Sequence, residues 1–185
     1  IKKVMEKGKG IFYYAGEDDI RRLKRRLQQL EIDQGLAKFL PGRTSTINEN
    51  VYTMVEDLLL FEKDIKAVFI DTMQLVLPRT LRSRDYEAYV HDLKPWSDLA
   101  QQKSVSIVMA HHTRKEGADV DRYPHDSILG SQGIMASFDN VMTMRRTSDG
   151  KGGVLNVIGK DVEQQEYRLS KKEYGWEMEG LESIA

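Results

Sequence analysis

The sequence predicts an α/β protein: a mostly parallel sheet flanked by helices, with antiparallel strands at the C-terminal end. Three observations carry this prediction. Ala67–Asp71 reads Ala-Val-Phe-Ile-Asp, a short apolar run without alternation, which fits a strand buried on both faces. Ile11–Ala15 and Val105–Ala110 repeat the design, the first running into Gly16-Glu17-Asp18-Asp19 and the second into His111-His112. Beyond Asn140 the pattern changes to short strands separated by turn residues, with Ser148-Asp149-Gly150-Lys151-Gly152-Gly153 as a hairpin signal.

The elements follow in chain order. Ile1–Lys7 reads as the end of a helix, stopped by Gly8-Lys9-Gly10. The strand Ile11–Ala15 comes next. Asp18 or Asp19 is a candidate N-cap for a helix from Ile20 to Leu30. Ile20, Leu23, Leu27 and Leu30 give it an apolar stripe, and Arg21, Arg22, Lys24, Arg25 and Arg26 an outer face. Gln34–Leu40 reads as a short strand ended by Pro41-Gly42. Thr46 would cap a helix from Ile47 to Lys63, with Val51, Met54, Val55, Leu58 and Leu59 as its inward residues. The central strand, Lys66–Asp71, is followed by a basic loop, Pro78–Arg84, and a helix from Asp85 to Lys103. Pro95 inside that helix removes one backbone donor. After Val105–Ala110, residues 111–126 form a long polar loop, and loops of such length in a compact domain are usually functional or disordered. Ser127–Ser137 reads as a short helix, and Asn140–Arg145, Val154–Lys160, Tyr167–Ser170 and Trp176–Met178 as a β-meander.

With 185 residues the chain is long enough for one domain with a sizeable core. A formal net charge of −1 provides no global field to recruit nucleic acid, so any such binding comes from local patches. The chain has no cysteine, which excludes disulfides, thiolate metal sites and a cysteine nucleophile. No apolar run approaches about 18 residues, so no membrane-spanning helix is expected. The chain starts with Ile1 inside a helix-like segment, and is expected to be a fragment of a longer protein.

Open α/β sheets bind ligands beyond the carboxyl ends of their strands. Three strands would deliver Glu17, Asp71 and His112 to one such edge. Asp71 there suits a Mg²⁺ site beside a nucleotide phosphate, the alternative being a cap for the next turn. Two readings from other classes stay open. One is a metal-dependent phosphohydrolase or nuclease built on Asp71, His111, His112 and Asp126. The other is a non-catalytic module that pairs with DNA or with other subunits. Against a metal shared by His111 and His112, adjacent strand residues point to opposite faces.

The chain resembles the RecA-type ATPase core of the RepA-like hexameric replicative helicases of plasmids, phages and prophages. The matching pieces are Tyr14-Ala15-Gly16-Glu17-Asp18, Val68-Phe69-Ile70-Asp71-Thr72, Met109-Ala110-His111-His112-Thr113-Arg114-Lys115, and Leu129-Gly130-Ser131 followed by Asp139-Asn140. They span roughly Ile11 to Lys160 in the family's order. The resemblance implies a single RecA-like ATPase domain over residues 1–185, truncated at its N-terminus, with an α/β core to residue 145 and a β-meander extension over 146–185. It implies ATP and Mg²⁺ as cofactors, single-stranded DNA as partner, a hexameric ring and a cytoplasmic location. Glu17 would polarise the attacking water, Asp71 would be the Walker B aspartate with Thr72 beside it, and His112 would sense the γ-phosphate. Arg79, Arg82, Arg84, Arg114 and Lys115 would hold DNA phosphates from two loops, Pro78–Arg84 and Thr113–Asp126.

Two departures from the family stand out. No G-x-x-x-x-G-K-[ST] occurs in the sequence. Gly8-Lys9-Gly10 is no substitute, because it precedes a strand and a phosphate loop must precede a helix N-terminus. The chain as it stands is therefore expected to bind ATP poorly or not at all. The family's arginine finger falls at Met142, so Arg146 or Lys160 is expected to take its place.

Overall fold

A computed structural model describes residues 10–32, 37–41, 51–77, 86–112 and 131–182. They fall into two compact units, one within residues 1–83 and 91–112, the other within 84–90 and 113–185.

The first unit is built on four parallel strands: β1 (Gly10–Ala15), β2 (Ala37–Pro41), β3 (Ile65–Asp71) and β4 (Ser106–Met109). Their order is β2-β1-β3-β4, so β1 and β3 are the inner pair. Both inner strands are apolar runs, and Ile11, Val68 and Ile70 are almost wholly enclosed. Strand β4 lies beside β3, with Ala67 to Ile70 of β3 in register with Ser106 to Met109 of β4. One expectation needs correcting. The run Val105–Ala110 reads as buried on both faces, yet Ser106 and Val108 of β4 are exposed. Among the described residues β4 is an edge strand, and an apolar run records side-chain preference without recording whether a neighbour lies beside it.

Helices α1 (Ile20–Gln29), α2 (Val51–Phe61) and α3 (Tyr86–Lys103) accompany this sheet. In α1 the stripe is narrower than its spacing suggests: Leu23 and Leu27 are buried, while Ile20 and Leu30 at the two ends are each 38% exposed. Helix α2 buries Val51, Val55 and Leu59, one stripe at successive spacings of four. Helix α3 buries Leu93, Trp96 and Leu99 and carries Pro95 in its interior. An edge-to-face contact between Tyr52 of α2 and Trp96 of α3, with ring centroids 5.2 Å apart, joins the two helices. The expected helix Ile1–Lys7 and the cap Thr46 lie outside the described residues.

The second unit holds α4 (Ser131–Ser137) and strands β5 (Asn140–Arg146), β6 (Gly152–Gly159), β7 (Gln165–Lys172) and β8 (Gly175–Glu182). These strands form the expected antiparallel meander, in the order β5-β6-β7-β8. They pair with one another as a second sheet and add no strand to the parallel one. The β5–β6 turn is fixed by Asp149, whose carboxylate accepts from the Thr147 hydroxyl and from the Lys151 amide. Gly150 at φ +68° supplies the left-handed residue that this turn requires.

Candidate functional site

The carboxyl ends of β1, β3 and β4 are tied together by backbone hydrogen bonds. The Gly16 amide donates to the Asp71 carbonyl at 2.6 Å, the Ala110 amide to Ile70 at 2.9 Å, and the Met73 amide to Ala110 at 2.8 Å. Gly16 is required for this approach. A Cβ at that position would lie 2.9 Å from the Asp71 carbonyl oxygen and 2.1 Å from Leu75 Cδ1. The Asp71–Thr72 peptide is cis.

On this edge Glu17 and His112 face each other, with His112 Nε2 3.5 Å from Glu17 Oε1. Both side chains are more than half exposed, so a solvent molecule or a ligand can reach them. Asp71 is partly buried, and its Oδ2 accepts a hydrogen bond from the Tyr13 hydroxyl at 2.9 Å. Thr72 beside it is buried, at 3% exposure. The three residues expected at one edge thus stand at the ends of adjacent parallel strands.

The turn that displays Glu17 is held on both sides. Asp19 is the N-cap of α1, its carboxylate accepting from the Arg21 and Arg22 amides at 2.9 Å each. These backbone bonds, that from Arg22 foremost, hold the Asp19 carboxyl below its ordinary pKa. A lowered native pKa means that this contribution to stability is present above the unfolded pKa and is lost as pH falls through the folded one. Asp19→Ala is therefore expected to lower the urea midpoint near neutral pH, and the gap from the parent should narrow once pH falls below about 4. Urea titrations at several pH values check this; a gap independent of pH would show that Asp19 does not cap as a carboxylate. Asp18 has a different task. Its buried carboxylate pairs with Arg22 at 3.0 Å and with Arg26. Two cations of the expected solvated face are thus committed to the turn carrying Glu17.

Sequence reasoning missed Asp18 as an anchor, although Arg22 and Arg26 are spaced by four on one face of α1 and Asp18 stands just before its N-cap. It also missed Tyr13, which no local signal singles out.

Arg146 and Lys160 lie in the second unit. Arg146 ends β5 opposite Gly153, while Lys160 follows Gly159, which pairs with Asn140 at the start of β5. Six residue steps along β5 separate the two positions, roughly 20 Å at strand rise. One phosphate can therefore meet only one of them. The Lys160 ammonium is 3.0 Å from Asp139 Oδ1, and Arg146 is exposed. Arg79, Arg82, Arg84, Arg114, Lys115 and Asp126 lie outside the described residues.

Among the described residues no three His, Asp or Glu side chains converge as a metal-binding group. Asp71 nevertheless offers the hard oxygen that Mg²⁺ prefers, and Mg²⁺ is commonly held by one or two carboxylates plus substrate phosphates. Among the described residues the donor set fits a Mg²⁺ shared with a phosphate better than an all-protein metal centre.

No protein-family model matches the chain, and no curated protein sequence does. Solved structures do. A solved ATPase domain superposes with a TM-score of 0.70 at 11% identity, over 98% of this chain and 78% of that one. A DnaB-like replicative helicase, solved in a study of its interactions with primase, gives 0.69 at 11% identity, over 94% of this chain and 51% of that one. The RadB recombinase gives 0.63 at 9% identity, over 93% and 80%. The chain has the RecA-like fold of these proteins, and spans about half the length of the DnaB-like helicase chain.

Proposed function

We propose that the chain is the hydrolytic part of a RecA-type ATPase that couples ATP hydrolysis to movement on single-stranded DNA. One observation carries this reading: Glu17, Asp71 and His112 stand at the carboxyl ends of adjacent parallel strands, with Glu17 and His112 facing each other at 3.5 Å. Phosphoryl transfer to water asks the protein mainly for positioning and electrostatic stabilisation. Glu17 orients and polarises the water as general base. Asp71, with Thr72 beside it, would hold Mg²⁺ next to the phosphate. When bound, the ion neutralises charge on the phosphate oxygens. His112 faces Glu17 and is followed directly in sequence by Thr113-Arg114-Lys115, so it can report the state of the terminal phosphate to that basic segment. Arg146 or Lys160 supplies the finger to a phosphate held by a neighbouring subunit in a ring, hexameric by resemblance. A cytoplasmic location goes with that role. No described helix is long and apolar enough to cross a membrane.

ATP binding requires a phosphate loop that residues 1–185 do not contain. The chain alone is expected to show little ATP affinity. Arg79, Arg82, Arg84, Arg114 and Lys115 provide the contacts to DNA phosphates. Replacing both Arg114 and Lys115 by Ala should weaken single-stranded DNA binding and flatten its salt dependence. Each lost phosphate contact removes about 0.7 from the log–log slope. Binding titrations of a fluorescent oligonucleotide over a series of salt concentrations check this. An unchanged slope would assign the strand to Pro78–Arg84 or to another surface.

A further inference from the structure

We propose that Tyr13 is a positioning residue for Asp71, its phenol fixing the carboxylate so that one oxygen is presented to a divalent cation. The proposal rests on the metal role assigned to Asp71 above and adds the group that orients it. The strand register is its foundation. Tyr13 of β1 pairs with Phe69 of β3, and Ala15 pairs with Asp71. Tyr13 and Asp71 therefore stand on the same face of the sheet, one pleat repeat apart on neighbouring strands.

The Tyr13 hydroxyl donates to Asp71 Oδ2 at 2.9 Å. The main chain of Asp71 is already held, since its carbonyl accepts from Gly16. What remains free in such a residue is rotation about two side-chain bonds, and one directed hydrogen bond is enough to select the orientation. The donor is itself fixed, because the Tyr13 ring lies against Phe69 with centroids 6.4 Å apart. Partners of this kind commonly set a ligating carboxylate's geometry, and their loss costs about 10- to 100-fold in metal affinity.

Tyr13→Phe keeps the ring and its contact with Phe69 and removes only the hydroxyl. The test is a Mn²⁺ titration of the chain followed by amide NMR line broadening, which detects weak paramagnetic binding without nucleotide. In the parent, Mn²⁺ should broaden Ala15, Gly16, Asp71 and Thr72 first, and Asp71→Asn should abolish that pattern. Tyr13→Phe should require about 10-fold or more additional Mn²⁺ for the same broadening. Unchanged Mn²⁺ dependence in Tyr13→Phe, with the pattern lost in Asp71→Asn, would overturn the role of Tyr13 and leave the metal role of Asp71 standing. Absence of broadening around Asp71 in the parent would remove the metal role and the role of Tyr13 together. Backbone shifts altered throughout the sheet in Tyr13→Phe would make Tyr13 a structural residue and likewise overturn the proposal.

Discussion

Glu17→Gln is expected to lower ATP turnover by about two to four orders of magnitude in a protein that carries both this chain and a phosphate loop. The amide keeps the size of the carboxylate and loses its basicity. ATP affinity should stay near the parent value, because Glu17 contacts the water and not the phosphate chain. The local fold should not change, since the Glu17 side chain is more than half exposed and the turn is anchored by Asp18 and Asp19 on one side and Gly16 on the other. Steady-state turnover and nucleotide affinity, measured on the same preparations, separate the two effects. Turnover at the parent rate would move the role of general base to another residue.

Gly16→Ala should reduce turnover by about 100-fold through displacement of the same glutamate. The added methyl would sit 2.9 Å from the Asp71 carbonyl oxygen, which is main chain and cannot swing aside. Leu75 Cδ1 is closer still, at 2.1 Å, but it belongs to a side chain that is 42% exposed and free to change rotamer. The strain therefore falls on the Gly16–Asp71 hydrogen bond, and the two strand ends must separate. Overpacking of this kind typically costs about 1–3 kcal/mol of stability. The urea midpoint should fall while the unfolding transition stays cooperative. A variant with parent turnover and parent stability would show that the close approach of β1 and β3 at this point has no consequence.

Much of the candidate site was legible because the signal is local. An apolar strand running into a polar, chemically able residue names itself, and three such strands ended at Glu17, Asp71 and His112 with β1, β3 and β4 close to the expected bounds. The cap was legible to within one residue, Asp18 or Asp19, for the same reason, because a cap speaks only to amides two and three residues onward; the structure chose Asp19. What escaped was pairing between segments. The bond between Tyr13 and Asp71 spans 58 positions of sequence, and it depends on β1 and β3 being neighbours in one register. A shift by one residue would have turned Tyr13 to the opposite face.

The sequence by itself determined the element types, the change from α/β alternation to meander, and the residues that end each strand. Side-chain periodicity and turn chemistry act over a few residues, so they are written in the order of the chain. Only the tertiary structure decided that, among the described residues, β1 joins β3 as the inner pair, β4 stands at an edge with Val108 open, and β5 to β8 form a sheet of their own. It also set Arg146 and Lys160 at opposite ends of one hairpin, and turned Arg22 and Arg26 from a solvated face into partners of Asp18. These outcomes depend on which surfaces meet, and hydrophobic burial is non-directional: it drives an apolar strand inward without specifying the neighbour it finds there.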